Sequence, residues 1–358
     1  MDKKIRVAVI GTGEIATKAH IPAYLSNKDI DLVALVDIDQ RKVKMAAKRF
    51  GIRHFFLSVD EMFKNVNVDA VSICTPPDTH AEVTLKALAC GAHVLCEKPL
   101  ATNIDEGRKM VEAWKTQGRI LMVGFNRRFQ PNYQSARNSI LRGRLGHIYC
   151  VEDHLLHRSP LLAWGKSRWF YKPGVGGVIL DLGPHAVDIL NYLFRDFPIA
   201  VTAIATTYLD SPVEECCVFV LEYPKNKTGV AIISWLSSRS IENIAIHGTA
   251  QSLYVSPSLF LKVNPTDIPE ISLWRKTTEQ LIGMKFPHLV LSPNWHRNID
   301  TYRMEINNFV AHIKDNRTTC SNAIDALNVL ITCNAIKKAS EINKRIEISS
   351  LMRGPTDF

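Results

Sequence analysis

The first 125 residues alternate short apolar runs, rich in β-branched residues, with amphipathic stretches of helical period. The apolar runs read RVAVI, LVALVD, AVSIC, HVLCE and ILMVGF, and stretches such as AEVTLKALACG lie between them. Strands that alternate with helices are typical of βαβ units, which build a parallel sheet with helices on both faces. We therefore predict an α/β Rossmann domain with a doubly wound parallel sheet over residues 1–124.

After about residue 145 the pattern changes. Extended segments now follow one another with turn residues between them, and they read HIYCVEDHLLH, AVTAIATTYL, ECCVFVLEY, GVAIISWL, NIAIHGTA and SLFLKV. This succession indicates a large, mainly antiparallel, open sheet. One helix, GPHAVDILNYLF, interrupts it, and two helical stretches close the chain. We predict a second, α+β domain over residues 125–358.

Composition narrows the class of protein. Apolar residues make up 46% of the 358 and charged residues 22%, and no run of eighteen apolar residues suggests a membrane span. The eight cysteines form no C-x-x-C pair, which argues against zinc and disulfides and for reduced thiols in a cytoplasm. The net charge of +9 is spread along the chain, so we expect no nucleic-acid partner. A basic surface and a basic pocket for an anionic ligand both stay open.

A glycine-rich turn follows the first predicted strand. Residues 11–16 read GTGEIA, the pattern G-x-G-x-x-A, and a helical stretch comes next. Gly11 allows a tight turn and Gly13 lets the backbone approach a pyrophosphate, while the N–H groups at the helix start bind phosphates. In this position between strand and helix, the pattern predicts a dinucleotide site.

Asp37 ends the second predicted strand. Its carboxylate is placed to accept hydrogen bonds from the adenosine ribose hydroxyls and to repel a 2′-phosphate. This favours NAD, while Arg41 and Lys42 nearby keep NADP open.

Polar and proline-rich sequences follow two more strands, at the edge of the sheet where ligands bind in doubly wound folds. The segment CTPPDTH brings Cys74, Thr75 and Pro76 to this crevice, and its His80 either packs at the start of the next helix or takes part in the site. The segment CEKP brings Lys98 to the same edge.

Five motifs in order, G-x-G-x-x-A, CTPP-x-x-H, CEKP, GFNRRF and GG-x-x-x-D-x-G-x-H-x-x-D, together resemble the Gfo/Idh/MocA oxidoreductase family. Its members include inositol dehydrogenases, glucose–fructose oxidoreductase and nucleotide-sugar dehydrogenases. The resemblance implies an NAD(P)-dependent dehydrogenase that acts on a secondary alcohol of a sugar, a polyol or a sugar derivative. It also implies a homodimer or homotetramer formed through the open sheet, a second domain that binds substrate, and C-terminal helices that pack back towards the first domain.

The resemblance implies that Lys98, Asp181 and His185 form the catalytic group. Asp181, His185 and Asp188 share one helix face by their spacing, and we expect Asp181 to cap this helix. The positive helix end and Lys98 both disfavour a charged imidazole, so His185 is predicted to be neutral. His185 then takes the hydroxyl proton, Lys98 polarises the oxygen and Asp181 orients His185. Glu97 is interpreted as an orienting or charge-balancing partner of Lys98.

Two sets of binding residues follow from these motifs. The cofactor candidates are Gly11, Gly13, Glu14, Ile15, Asp37, Cys74, Thr75, Pro76, His80, Glu97 and Lys98. The substrate candidates are Lys98, Asn126, Arg127, Trp169, Asp181, His185 and Asp188. Because Arg127 and Arg128 are adjacent, they point to opposite sides, and we expect at least one to be solvated or salt-bridged. No metal site is predicted.

Two alternatives of other classes stay open. Some proteins of this fold bind the dinucleotide and regulate a partner without catalysis, and these tend to lose the lysine and histidine that this chain keeps. A related glycosidase retains its NAD and cleaves a glycosidic bond through transient oxidation, which would release product without net nicotinamide change.

Overall fold

The architecture comes from a computed structural model, which describes residues 4–160, 168–208, 210–256, 259–263, 289–291, 298–315 and 321–352. Seven of the eight cysteines lie in these ranges and carry free thiols, while Cys320 lies outside them. Within the described ranges, no helix combines the length and apolar character needed to cross a membrane.

Six parallel strands form the first sheet, in the order β3-β2-β1-β4-β5-β6. This confirms the predicted doubly wound domain; β3 is an additional short strand that the pattern did not predict. The strands are β1 (Ile5–Ile10), β2 (Ile30–Val36), β3 (His54–Phe56), β4 (Ala70–Ile73), β5 (His93–Cys96) and β6 (Leu121–Val123). The helical segments are a π-helical turn (Ala16–His20), α1 (Ile21–Leu25), α2 (Gln40–Phe50), α3 (Val59–Asn65), a 3₁₀ turn (Pro77–Thr79), α4 (His80–Ala89) and α5 (Ile104–Gln117).

Local sequence explains where these helices begin and end. Asp39 accepts hydrogen bonds from two N–H groups in the first turn of α2, and Asn103 does the same for one N–H of α5. Gly51 and Gly118 end the same two helices with a positive φ, which glycine adopts without steric cost. All four residues of β4 are buried, as a central strand between two helix layers requires.

The second sheet has nine strands in the described residues, in the order β14-β13-β12-β11-β7-β10-β9-β8-β15. All neighbours pair antiparallel except β7 and β10, which are parallel, so the predicted mainly antiparallel sheet is confirmed. The strands are β7 (Ile148–Leu156), β8 (Ala200–Thr206), β9 (Cys216–Tyr223), β10 (Lys227–Ser234), β11 (Ile241–Gly248), β12 (Ser252–Ser256), β13 (Leu259–Val263), β14 (Leu289–Leu291) and β15 (Ile346–Glu347).

The remaining helical segments connect this sheet to the first one. They are a 3₁₀ turn (Asn126–Phe129), α6 (Pro131–Leu141), a 3₁₀ turn (Arg168–Tyr171), α7 (Val178–Asp181), α8 (Gly183–Phe194), α9 (Asn298–Asp315), α10 (Ala323–Ile342) and α11 (Ser349–Met352). Helix α9 packs on α1 and the π-helical turn, while α10 packs on α5 and β8. One apolar core therefore contains residues of both sheets. The boundary between residues 124 and 125 stays a prediction.

Candidate active site

The turn after β1 has the geometry that a pyrophosphate needs. Gly11 has a φ of +88°, and a Cβ atom there would lie 2.7 Å from the carbonyl oxygen of Cys74. A Cβ on Gly13 would meet nothing within 4 Å, so this backbone is open towards the crevice. Glu14 is directed to Lys18 at 2.7 Å, and Ile15 is half-buried. The turn and the helix start behind it fit a dinucleotide phosphate.

Asp37 lies beside this turn, at the end of β2. One of its oxygens accepts hydrogen bonds of 2.7 Å from both the N–H and the hydroxyl of Thr12. The other oxygen accepts from the N–H of Asp39 at 2.9 Å. The carboxylate is thus held at the crevice edge, where a ribose would meet it.

His80 connects the loops that follow β4 and β5. Its Nδ1 lies 2.7 Å from the Pro99 carbonyl oxygen, and its Nε2 lies 2.9 Å from that of Thr75. The ring is buried, and burial lowers the pKa of His80, which favours the neutral form. His80 therefore stabilises the crevice wall formed by the buried Cys74, Thr75 and the exposed Pro76.

Lys98 contacts Asp181 across the crevice. The Lys98 ammonium donates to the Asp181 carboxylate at 2.7 Å and to the Asp181 carbonyl at 2.9 Å. The second carboxylate oxygen accepts from Nε1–H of Trp235 at 3.1 Å. The two side chains keep 14% and 11% of their surface exposed, so a ligand in the crevice can still reach this ion pair.

Two predicted roles of Asp181 find no support in this geometry. The prediction that Asp181 caps α8 is wrong, because Leu182 precedes that helix and makes no side-chain cap. No hydrogen bond joins Asp181 to His185 in the described part of the chain, although orientation of His185 was expected. The ammonium of Lys98 and the indole of Trp235 occupy both carboxylate oxygens instead.

His185 lies in the first turn of α8, and its Nδ1 is buried with no hydrogen-bond partner among the described residues. Burial lowers the pKa of His185 well below its ordinary value, and Lys98, Arg127 and His157 lower it further. The ring is therefore neutral at neutral pH, as the sequence led us to expect.

Both arginines of the NRRF segment are buried and paired. Arg127 donates to the two carboxylate oxygens of Asp153 at 2.7 and 2.9 Å. Arg128 donates to both oxygens of Asp188, at distances down to 2.6 Å, and to Asp325 at 3.0 Å. Burial raises the pKa of Asp188 to about 6, although Arg128 opposes the shift. Contact with a substrate stays a prediction for Arg127 and Asp188; in this structure other side chains already match their charges.

The two remaining substrate candidates lie on 3₁₀ turns. Asn126 is half-buried at the start of the 3₁₀ turn that follows β6 and residues 124–125. Trp169 stacks on Phe170, with ring centroids 3.8 Å apart, and Phe170 meets the edge of Trp235 at 6.1 Å. This aromatic row connects Trp169 to the indole that donates to Asp181, and contact of Trp169 with a substrate stays a prediction.

Glu97 has a different partner from the one expected. One of its oxygens lies 2.7 Å from Nε2 of His20, while the other accepts from the backbone N–H of Lys98 at 3.2 Å. Nδ1 of His20 lies 2.8 Å from the Ser72 hydroxyl. Burial opposes a charge on His20, but Cys74 and Glu97 outweigh it and raise the pKa of His20 well above its ordinary value. Glu97 therefore balances a buried imidazolium rather than the ammonium of Lys98.

Glu305 of α9 completes this buried group. Neither of its carboxylate oxygens has a hydrogen-bond partner among the described residues. Burial, with the charge of Glu97 second, raises the pKa of Glu305 well above its ordinary value, which favours the neutral carboxyl. The ring of Tyr302 lies 5.6 Å from that of His20. We refer to His20, Ser72, Glu97, Tyr302 and Glu305 as the buried acid cluster.

Several of these residues were not predicted, and only some had a usable signal. Trp235 and His157 directly follow β10 and β7, and because these strands are parallel their ends meet at one edge of the sheet. Their positions after strand ends could therefore have indicated that Trp235 and His157 lie near the site. His20 and Glu305 lie far along the chain from Glu97, and no local pattern predicts their contact. No cluster of potential metal ligands occurs in the described residues.

Comparison with known proteins identifies relatives of both halves. Residues 5–125 match the Gfo/Idh/MocA family described as an oxidoreductase family with an NAD-binding Rossmann fold, and residues 133–254 match a C-terminal domain of the same family. D-glucoside 3-dehydrogenase of Escherichia coli (strain K12) is 32% identical over 213 residues, which are 60% of this chain and 60% of that protein. Myo-inositol 2-dehydrogenase of Thermotoga maritima is 24% identical over 355 residues, which are 97% of this chain and all of the relative.

A solved structure shares the fold over almost the whole length. An oxidoreductase from Agrobacterium radiobacter, in complex with NAD+, L-tartaric acid and magnesium, superposes with a TM-score of 0.83 at 18% identity. The match covers 98% of this chain and 100% of the other. With both domain matches and the motifs in place, the chain belongs to the Gfo/Idh/MocA oxidoreductase family, whose first domain is an NAD-binding Rossmann fold.

Proposed function

We propose that this protein is an NAD-dependent dehydrogenase that transfers hydride between a secondary alcohol of a sugar or polyol and nicotinamide. The observation that carries the proposal is the Lys98–Asp181 ion pair of 2.7 Å at the crevice, beside a neutral His185. The substrate class is supported by relatives named for D-glucosides and for myo-inositol.

Each side chain has a distinct task in this proposal. The neutral ring of His185 accepts the proton of the substrate hydroxyl, because a neutral imidazole has one unprotonated ring nitrogen that can bind a proton. The ammonium of Lys98 donates a hydrogen bond to the same oxygen and stabilises the negative charge that develops there. Asp181 holds Lys98 in place, and Trp235 donates to the other oxygen of Asp181. Nicotinamide, when bound, supplies the carbon that accepts the hydride.

NAD is the cofactor that fits the residues around the turn after β1. The open backbone at Gly13 admits a pyrophosphate, and the fixed carboxylate of Asp37 suits ribose hydroxyls better than a 2′-phosphate. Discrimination against NADP is part of the proposal. Titration of the protein with NADH and with NADPH, followed by nicotinamide fluorescence, measures it.

The first experiment follows nicotinamide absorbance when the protein meets NAD and a panel of polyols, aldoses and glycosides led by myo-inositol and D-glucosides. We expect reduction of NAD with one class of substrate and its loss in Lys98→Met and His185→Gln. Product release without net change in nicotinamide would contradict the proposal in favour of a redox glycosidase. Tight NAD binding with no turnover on any substrate would instead favour a regulator.

We also propose that two copies associate through the open face of the second sheet. Ile204 of β8 and Val218 of β9 are direct cross-strand neighbours with 65% and 39% of their surfaces exposed, and Val220 beside them is 36% exposed. A contiguous apolar patch of this kind is typical of an interface. Sedimentation of the wild type and of Ile204→Glu tests this: a dimer or tetramer should dissociate in the variant, and a wild-type monomer would contradict it.

A further inference from the structure

Three basic side chains lie close enough to His185 to lower the pKa of its ring. Each has a carboxylate partner of its own: Lys98 with Asp181 at 2.7 Å, Arg127 with Asp153 at 2.7 Å and His157 with Glu242 at 3.1 Å. His185 differs from all three, since its buried Nδ1 has no partner in the part of the chain that the structure describes. Three basic groups therefore act on an imidazole that makes no hydrogen bond or ion pair with a carboxylate of the described residues.

Arg127 is the most rigidly held of the three. Its two terminal nitrogens bind both oxygens of Asp153, a residue of β7 with no exposed surface. One of them also donates to the hydroxyl of Tyr133 at 3.0 Å, and the guanidinium lies 5.1 Å from the centre of the Tyr133 ring. A two-pronged pair of this kind fixes the orientation of the guanidinium.

The same guanidinium reaches the helix that carries His185. Nη1 of Arg127 donates to the backbone carbonyl of His185 at 3.3 Å. Arg127 thus contacts the first turn of α8 from the side of β7, while the neighbouring Arg128 is used for Asp188, one turn further along α8. The two adjacent arginines therefore bind α8 at residues about one turn apart. Of the two, Arg127 contacts His185, the proposed proton acceptor.

We infer that Arg127, held by Asp153 and Tyr133, is a positioning residue that holds the backbone of His185 and adds to the burial and the Lys98 charge that keep its ring in the neutral, proton-accepting form. This inference rests on the proposed dehydrogenase function for its catalytic meaning, but the charge state of His185 can be measured without any activity. It assigns to Arg127 a task inside the protein, in place of the substrate contact expected from its motif.

The electrostatic consequence depends on all charged groups that face His185. Lys98 and Asp181 approach from the ends of β5 and α7, and Arg127, Asp153 and His157 approach from the 3₁₀ turn and β7, with Glu242 on β11 behind His157. A fixed positive charge near the ring disfavours imidazolium, and Arg127 lowers the pKa of His185 after burial and Lys98. Removing Arg127 together with its counter-ion should therefore shift the titration of His185 towards the ordinary value.

The decisive measurement is NMR titration of protein with isotope-labelled histidine rings, with His185 identified among the twelve histidines by His185→Gln. In Arg127→Gln/Asp153→Asn we expect the pKa of His185 to rise by about one unit. Arg127→Lys keeps the charge and should leave the pKa low. The acid limb of kcat/KM should move with the titration in each variant.

A matched control separates this effect from the loss of any ion pair. Arg6 and Asp69 form a similar two-pronged pair, with distances of 2.9 and 2.7 Å, at the opposite edge of the first sheet. Arg6→Gln/Asp69→Asn should leave the titration of His185 unchanged. If the polar double variant does not fold, Arg127→Met/Asp153→Leu replaces the buried pair with apolar side chains, a change that proteins often tolerate.

An unchanged His185 titration in a folded Arg127/Asp153 double variant would overturn the inference. A rise of the pKa in a protein that oxidises no alcohol would support the positioning role and at the same time contradict the proposed function. The two proposals can therefore fail separately.

Discussion

Glu97 and Lys98 are neighbours in the chain, yet their side chains belong to two regions with opposite properties. Lys98 belongs to the crevice, where it pairs with Asp181 and part of its surface stays exposed. Glu97 belongs to the buried acid cluster, where His20 has no exposed surface. Both residues follow the end of β5, and their side chains contact different elements, Glu97 the π-helical turn and Lys98 the end of α7.

The difference between the two regions suggests separate roles, catalysis for the crevice and stability for the buried acid cluster. The crevice keeps an ammonium and an unpartnered imidazole within reach of a ligand, which catalysis requires. The buried acid cluster matches its charges internally and ties the π-helical turn behind the glycines to the strand end that carries Lys98. We therefore expect substitutions in the crevice to affect turnover and substitutions in the cluster to affect stability.

The largest expected effect is that of Lys98→Met. In the proposed mechanism, loss of the ammonium removes the hydrogen-bond donor to the reacting oxygen, and we expect turnover to fall about 10²–10⁴-fold. The measurement is kcat on the substrate found in the panel, with circular dichroism to show that the fold is kept. Lys86→Met is the control, since the Lys86 side chain on α4 keeps 41% of its surface exposed and pairs only with Asp60 and Glu82 among the described ion pairs. Turnover within tenfold of the wild type in Lys98→Met would contradict a catalytic role for the crevice.

Much of the crevice could be predicted from the sequence, because strand ends and short motifs depend on local residues. The bounds of α8, Gly183–Phe194, match the predicted helical segment, and CEKP places Lys98 at the crevice. The partners could not be predicted, because they come from distant elements. His20 lies 77 residues from Glu97, and Trp235 lies 54 residues from Asp181. Contacts of this kind depend on how the sheets and helices assemble.

A substitution in the cluster should show the opposite pattern from Lys98→Met. His20→Met leaves Glu97 as an unpaired buried charge, and breaking a buried ion pair in this way costs about 3–5 kcal/mol of unfolding free energy. Turnover per folded molecule should fall less than in Lys98→Met. Urea unfolding measures the first quantity and kcat, corrected for the folded fraction, the second.

The double variant His20→Met/Glu97→Gln serves as the control for the unpaired charge. It removes both members of the pair, so a large part of the lost stability should return. If His20→Met costs less than about 1 kcal/mol, the imidazolium–carboxylate pair is not what holds this region.

Trp235→Phe should have a smaller effect, on the crevice side. It removes the N–H that donates to Asp181 at 3.1 Å and keeps most of the aromatic packing. A hydrogen bond to a charged group contributes about 1.5–3 kcal/mol, and we expect a loss of unfolding free energy in this range. Lys98 still binds the carboxylate, so turnover should fall less than in Lys98→Met. Trp114→Phe, at a half-buried tryptophan of α5, controls for the loss of an indole; an equal loss there would contradict the role of the hydrogen bond.

The smallest effect, and the most specific for the cluster, is the pH dependence of Glu305→Gln. The folded protein holds the carboxyl proton because burial raises the pKa of Glu305 above the ordinary value of 4.5. The unfolded chain releases that proton above this pH, so the wild type loses stability as pH rises from 4.5 towards the raised pKa of the folded state.

Glu305→Gln carries no proton to lose, so its stability should rise relative to the wild type over the same window, by up to about 1.4 kcal/mol per pH unit. Urea unfolding at a series of pH values measures the difference, and Glu112→Gln on the exposed face of α5 provides the control. A difference that stays constant with pH would mean that Glu305 is charged in the folded protein. The cluster would then hold two carboxylates against a single imidazolium, and the stability of this region would have to come from His20 and Glu97 in spite of Glu305.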